Sequence, residues 1–437
     1  WGGDLGTAPN LSYSFVNPGG IQFDAAYTGD LDALGSGFAD SFSAYSYSDS
    51  SRHMMEFTGN EKTFIRDTLD WFSDYSGIQF NEVSDSTNTY GDLRFYLQDF
   101  DAWTGFDAAS YNAGGFAYLP IGDQLWGYSG DTSLLVAGDI FLRSDYDFNA
   151  GLGIYPQTTI AHEIGHAIGF SHPFDGGYNN IGDQSDSVDN SLTLMTYDRS
   201  PPLLGLNPLP VDMLALEFIY GGSNQANLGN DSYFIDPLLF DTGQHYEGRM
   251  SFVDDGGVDI INANDVNNGI FLNLAPGSWS NISGTNPYLL AVGDDNEGEQ
   301  IASSFSDTYP HSISSDTDIL NVGQVYIESQ TYIENCNLTD YGDIIFDNST
   351  NNVIYCEGGD DKVSISLGND QVYGGSGTDE VSIYGTVNDY TVEQTNSGYT
   401  LTNINNGALN FGQDIFLQDI ENISFYGDSD TTTYYSD

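Results

Sequence analysis

Three glycine–aspartate turns follow one another at a nine-residue interval towards the C-terminal end of this 437-residue chain. Gly359-Asp360-Asp361-Lys362-Val363 recurs as Gly368-Asn369-Asp370-Gln371-Val372 and as Gly377-Thr378-Asp379-Glu380-Val381. A fixed short period constrains a chain strongly, because every unit must present the same face to its neighbours and the units must stack. Each unit joins a glycine-rich turn to a short strand whose apolar residue (Val363, Val372, Val381) points inward. The stretch Gly374 to Ser382 fits the pattern G-G-x-G-x-D-x-U-x at every fixed position. A partial copy, Gly257-Val258-Asp259-Ile260-Ile261, precedes it, and residues 348–355 keep the rhythm without the Asp. Gly-Asp turns are also ordinary turns in an Asp- and Gly-rich chain. Three in register, with Val at one offset, favour calcium instead: the carboxylates of Asp361, Asp370 and Asp379, with carbonyls of turns at Gly359, Gly368 and Gly377, supply hard oxygen ligands for several Ca²⁺ ions.

Charge supports a cation-rich setting. The chain has 64 acidic residues, 50 of them Asp, against 8 basic ones, for a net charge of −56. Eight cations cannot form the footprint of a nucleic-acid binder or a polybasic membrane anchor. Disorder is excluded by 39% hydrophobic and 14% aromatic content, which acidic disordered chains lack. Salt, calcium or both must screen such a chain, and an exported protein is expected. Trp1-Gly2-Gly3-Asp4 has no basic or apolar leader, as in a processed mature chain, and no apolar run is long enough to insert in a membrane. The two cysteines, Cys336 and Cys356, read as one disulfide of an exported protein, with two buried free thiols as the alternative.

Upstream, the periodicity is mixed. Glu61 to Gly77 has helical spacing closed by glycine, as do Thr158 to Phe170 and Val211 to Tyr220. Residues 78–83, 93–97, 115–120 and 138–142 alternate as strands. After about residue 235 the helical pattern stops. Two domains are expected, 1–235 and 236–437.

The second helix contains the chemistry. It reads His162-Glu163-Ile164-Gly165-His166-Ala167-Ile168-Gly169-Phe170-Ser171-His172, and holds half of the six histidines of the chain. His162 and His166 lie one turn apart on one helical face, where both imidazoles reach one metal. Glu163 sits beside them as a base for water. Gly169 allows a sharp turn that returns His172 as a third ligand. Three imidazoles leave a fourth position open, the layout of a catalytic Zn²⁺ site. Met195 and Tyr197 follow in Leu194-Met195-Thr196-Tyr197; alone, either is a packing residue.

With these motifs the sequence resembles the metzincin metallopeptidases, and the serralysin family in particular. The resemblance covers nearly the whole chain, from Leu11–Phe15 through Gly115–Pro120 and Thr159–Ala161 to Asp212–Gly221 and the acidic repeats. It implies an α+β metzincin catalytic domain followed by an all-β domain with a calcium-binding parallel β-roll. It also implies that Met195 is the Met-turn residue, that Tyr197 is a switchable zinc ligand and oxyanion stabiliser, and that the 115–120 strand receives substrate.

The expected function is that of a secreted, monomeric zinc endopeptidase acting on extended proteins or peptides, with Glu163 as general base and calcium stabilising the C-terminal domain. The competing class is a calcium-dependent surface or matrix protein with a peptidase-like scaffold. An intact triad with its Glu weighs against that class.

Overall fold

The computed structural model describes residues 4–17, 54–86, 89–99, 114–120, 137–144, 154–172, 193–196, 203–222, 226–235, 247–282, 324–404 and 414–426. They form a mixed α/β chain rich in strands. Two compact units divide it: residues 1–198 with 204–223, and residues 199–203 with 224–437.

The first unit is built on a twisted, mostly parallel sheet. Its strands are β1 (Asn10–Phe15), β2 (Met54–Met55), β3 (Gln79–Glu82), β4 (Leu93–Gln98), β5 (Gly115–Ala117) and β6 (Asp139–Arg143). The order is β3-β1-β4-β6-β5, with β2 pairing on β4. The ladders among β3, β1, β4 and β6 are parallel, whereas β5 runs antiparallel to β6 at the end of the sheet. All residues of β4 and β6 are buried. A charge buried there needs a partner, and Arg94 finds it in Asp85, whose two oxygens each accept a guanidinium N–H at 2.9 Å.

Among the described residues of this unit are three helices, two of which pack on the sheet. α1 (Gly59–Ser76) opens with a capping box between Thr58 and Glu61 and closes on Gly77 at φ 74°. Ile65, Leu69 and Phe72 form its buried stripe. α2 (Ile154–Ala167) carries the histidine motif and packs against β5, β6 and α1. The periodicity predicts a helix over Thr158 to Phe170, whereas the helix runs from Ile154 to Ala167; Pro156 lies in its first turn, where a proline loses no helical hydrogen bond. α3 (Pro210–Tyr220) begins on a proline, ends at Gly221 and packs on α1.

From Asn335 the second unit winds its chain alternately through two parallel sheets, and before it Glu247–Phe252, Trp279–Ser280 and Val325–Ile327 pair in a further sheet. One carries Ser232–Phe234, Ile260–Asn262, Asn335–Asn337, Val353–Tyr355, Gln371–Tyr373 and Asp414–Gln418 as parallel neighbours, extended by two antiparallel strands, Gly398–Asn403 and Tyr390–Thr395. The other carries Phe271–Asn273, Ile344–Phe346, Lys362–Ile365, Glu380–Ile383 and Asn422–Phe425. The nine-residue sequence period is therefore half a coil. Between residues 335 and 383, neighbours in one sheet lie 18 residues apart, as Lys362 opposite Glu380 and Val353 opposite Gln371 show. Val363, Val372 and Val381 all point into the shared apolar interior, with Ile261, Ile345, Ile354 and Leu417. Each such side chain contributes about 1.5–3 kcal/mol on burial.

The disulfide expected between Cys336 and Cys356 is absent. Both are free, buried thiols in that interior. The register explains it, since Cys336 lies opposite Ile354, leaving Cys356 two positions further along. A two-residue offset on adjacent strands separates Cα atoms by roughly 8 Å, beyond the ~7 Å that a disulfide spans. Cys336 stands in the column of Ile261, Ile354 and Val372, and Cys356 in that of Leu338 and Ala263.

Candidate metal centre

Three imidazoles converge at the end of α2. His162 and His166 project from one face of the helix. The helix ends as Phe170 donates its N–H to the Gly165 carbonyl and Gly169 donates to that of His166, with Gly169 at φ 115°. That left-handed turn returns His172 to the first two. His172 Nε2 stands 3.3 Å from Nε2 of His162 and 3.1 Å from that of His166. Two nitrogens each ~2.0–2.1 Å from a tetrahedral ion stand roughly 3.3–3.4 Å apart, so the cluster has the spacing of a zinc ligand set.

Backbone carbonyls set the tautomers. Nδ1 of His162 lies 2.7 Å from the Leu194 carbonyl, and Nδ1 of His166 lies 2.7 Å from that of Phe170. A carbonyl only accepts, so Nδ1 carries the proton and Nε2 offers its lone pair inwards. Burial, with the neighbouring His166 and His172, lowers the pKa of His162 to about 3 despite the favourable Leu194 carbonyl. The ring is thus neutral and available as a ligand.

Glu163 lies against the edge strand. Burial raises its carboxyl to about 8, and its Oε2 is buried without receiving a hydrogen bond. Gly115 of β5 leaves the space that Glu163 fills. Met195 lies in a turn below α2, and a Cβ at Gly165 would stand 2.7 Å from its sulfur. A mid-helix glycine costs ~1 kcal/mol relative to Ala; here its missing side chain admits the thioether. Tyr197 lies outside the described residues.

Asp361, Asp370 and Asp379 each immediately precede a strand, and each is 1% exposed. Oδ1 of each accepts a backbone N–H from the preceding coil: Asp361 from Asp343 at 2.7 Å, Asp370 from Asn352 at 2.9 Å, Asp379 from Asp361 at 3.0 Å. Oδ2 of each is buried and receives no hydrogen bond. Burial first, then neighbouring carboxylates, raises Asp361 to about 8; burial raises Asp370 to about 7. The three do not form one line. Asp361 and Asp379 share a column with Asp343, while Asp370 stands in the column of Asn352 on the other sheet. Gly359, Gly368 and Gly377 have φ between 118° and 149°. A Cβ at Gly377 would fall on the Gly359 carbonyl oxygen, and one at Gly368 on that of Thr350.

The sequence reading missed two elements of this acidic edge. Asp343 belongs to the first column but follows Gly342 directly, outside the Gly-x-Asp spacing. Asp231, Asp254 and Asp259 bring carboxylate oxygens within 4.8 Å of one another. Of these, Asp259 had been visible as part of the partial repeat. Its Oδ1 accepts the Asp231 N–H at 2.7 Å, and its Oδ2 is buried without a hydrogen bond.

No family model matches the chain. Among curated proteins it is similar to a serralysin of Proteus mirabilis, 27% identical over 257 residues, 52% of this chain and 49% of that protein. A serralysin of Photorhabdus laumondii is 25% identical over 256 residues, 53% of this chain and 49% of that protein. Metalloprotease AprA of Pseudomonas entomophila is 25% identical over 248 residues, 49% of each chain. The chain spans about half the length of the curated relatives it matches. Over that span, and by its histidine cluster, the chain is a relative of the serralysin-type metallopeptidases.

Proposed function

We propose that this chain is a secreted zinc endopeptidase that hydrolyses extended proteins or peptides as a monomer. The observation that supports this most is the convergence of three Nε2 atoms on one point, on a helix that also buries Glu163 with its Oε2 free of hydrogen bonds. The donor set suits Zn²⁺: three imidazoles at tetrahedral spacing, with no thiolate. His162, His166 and His172 would hold the ion, joined by Tyr197 as a movable fourth ligand. Zinc held there supplies a Lewis acid that polarises the scissile carbonyl and brings the pKa of water to ~7.

The chain's own residues do the rest. A cation held by the histidines would favour the ionised form of Glu163, and its Oε2, free of competing donors, would then accept a proton from the attacking water and pass it to the leaving amine. Strand β5 ends the sheet, and its outer edge offers backbone groups to a substrate added as an antiparallel strand. That mode takes extended backbone in preference to folded protein. Tyr197 would donate to the oxyanion. We assign catalysis to the first unit, residues 1–198 with 204–223, and a calcium-stabilised β-roll to the second, which begins at residue 224 rather than at 236.

Calcium fits the second unit for reasons of its own. Buried carboxylates stacked 18 residues apart repel one another, and Asp361, Asp370 and Asp379 each keep one oxygen without a hydrogen bond. A hard divalent cation is the natural counter-charge for such oxygens. Asp343, Asp361 and Asp379 would serve one edge, Asp370 the other, and Asp231, Asp254 and Asp259 the first coil. The function is tested by casein hydrolysis: loss on zinc chelation and recovery with added zinc is expected. Cleavage indifferent to both treatments refutes it.

A further inference from the structure

We propose that helix α3 braces the histidine cluster at two points, with Asp212 and Tyr220 as positioning residues that set its metal affinity. The inference rests on the zinc reading above. Two segments outside α2 must be held for the three imidazoles to converge. One is the turn at 193–196, whose Leu194 carbonyl fixes His162. The other is the 168–172 stretch, which delivers His172. Each is tied to α3 by a buried side chain.

Asp212 is 2% exposed. Its Oδ2 accepts the N–H of Leu209 at 3.0 Å and the N–H of Leu194 at 2.8 Å, and its Oδ1 accepts the Thr193 hydroxyl at 2.6 Å. Only the first of these bonds caps α3. The other two leave the helix and grip the turn. Thr193 Oγ1 in turn accepts the Met195 N–H at 3.0 Å, so the turn is wound about one carboxylate. Leu194 then links this carboxylate to the metal site. Its N–H is held by Asp212, and its carbonyl accepts Nδ1–H of His162. One residue therefore separates a buried anion from a ligand ring, and the ring can tilt only if that peptide tilts.

Tyr220 lies eight residues further along α3, about 12 Å at 1.5 Å per residue. Its hydroxyl, 4% exposed as a residue, donates to the Ile168 carbonyl. Ile168 sits between His166 and the left-handed Gly169, so this bond fixes the turn from which His172 departs. The two ties have different chemistry and reach different ligands, yet both come from one rigid eleven-residue helix. Capping alone does not require them: a Ser or Thr before the helix would cap its start, and a Phe at 220 would fill the same space.

The test uses the full-length chain, freed of metal, in the variants Asp212→Asn and Tyr220→Phe, with Phe218→Ala as control. Phe218 is on the same helix and 69% exposed. Zinc affinity is measured by competition with a chromogenic chelator, and the d–d absorption of the Co²⁺-loaded protein reports ligand geometry. Loss of an outer-shell partner typically weakens metal binding 10- to 100-fold. We expect weakening of about tenfold or more in Asp212→Asn and Tyr220→Phe, an altered Co²⁺ spectrum in both, and no change in Phe218→Ala. Wild-type affinity and spectrum in both test variants overturn the brace. So does an equal loss in Phe218→Ala, which would trace the effect to general damage to the helix. If the wild-type chain itself binds no zinc, the zinc reading has failed instead.

Discussion

Gly115 and Glu163 share one space. A Cβ built on Gly115 would stand 2.9 Å from Cγ and 3.3 Å from Oε1 of Glu163. The edge strand proposed to receive substrate is thus also the wall against which the proposed base rests. Gly115→Ala should push Glu163 aside while leaving the histidines in place. A misplacement of about 1 Å can cost ~10²-fold in rate. The expected result is kcat lowered by about 10- to 100-fold with zinc affinity unchanged, read from steady-state kinetics and metal titration. Wild-type kcat would show that Glu163 does not depend on this clearance.

Calcium removal should loosen the repeats before anything else. A ligand that binds only the native state stabilises it by about 2.7 kcal/mol at a hundred times its Kd. After chelation, amide exchange across residues 340–385 should accelerate ahead of the interior of the first unit. Equal protection there with and without calcium would remove the calcium assignment.

The same carboxylates predict a pH trend in calcium-free protein. Asp361 and Asp370 are raised to about 8 and 7 in the fold, against ~3.9 in an unfolded chain. Between those values the folded state holds more protons than the unfolded state, so stability falls as pH rises. The second unit, stripped of calcium, should therefore melt at progressively lower temperature from about pH 4 to pH 8. Added calcium should offset the decline. A melting temperature that climbs over this range without calcium would contradict the buried, uncompensated carboxylates.

Gly377 has φ 149°, and a side chain there would meet the Gly359 carbonyl. Gly377→Ala should lower stability by more than about 1 kcal/mol, since both strain and collision oppose it. Denaturant titration in calcium would record it, and an unchanged midpoint would mean that the coils are not packed this closely.

Two free, buried thiols have a simple signature. Unreduced native protein should give no fast reaction with a thiol reagent, and two thiols per chain should react on unfolding. Absence of thiols in the unfolded, unreduced protein would restore the disulfide.

The parts legible in sequence were those whose partners lie close along the chain. His162, Glu163 and His166 share one helix and His172 follows after one turn, so spacing alone brought them together. The inward Val of each repeat was legible because a strand buries alternate residues. What could not be seen was the folding of that period: nine residues look like one coil until the ladder shows that two strands make a full one. Asp370 was accordingly grouped with Asp361 and Asp379, although it stands on the other sheet. Cys336 and Cys356 were paired by compartment logic, whereas register gave each an ordinary core position. Asp212 had been noted only as the start of a helix; its hold on Leu194 spans 18 residues of sequence with no periodic signal to reveal it.

The account stands or falls most directly on Glu163→Gln. This variant keeps the shape of the side chain and all three imidazoles, and removes only the capacity to take a proton. General-base catalysis contributes typically 10²–10⁴-fold. With zinc bound at wild-type stoichiometry, casein cleavage by Glu163→Gln should fall by at least about a hundredfold. Cleavage at the wild-type rate by the zinc-loaded variant would contradict the proposed chemistry.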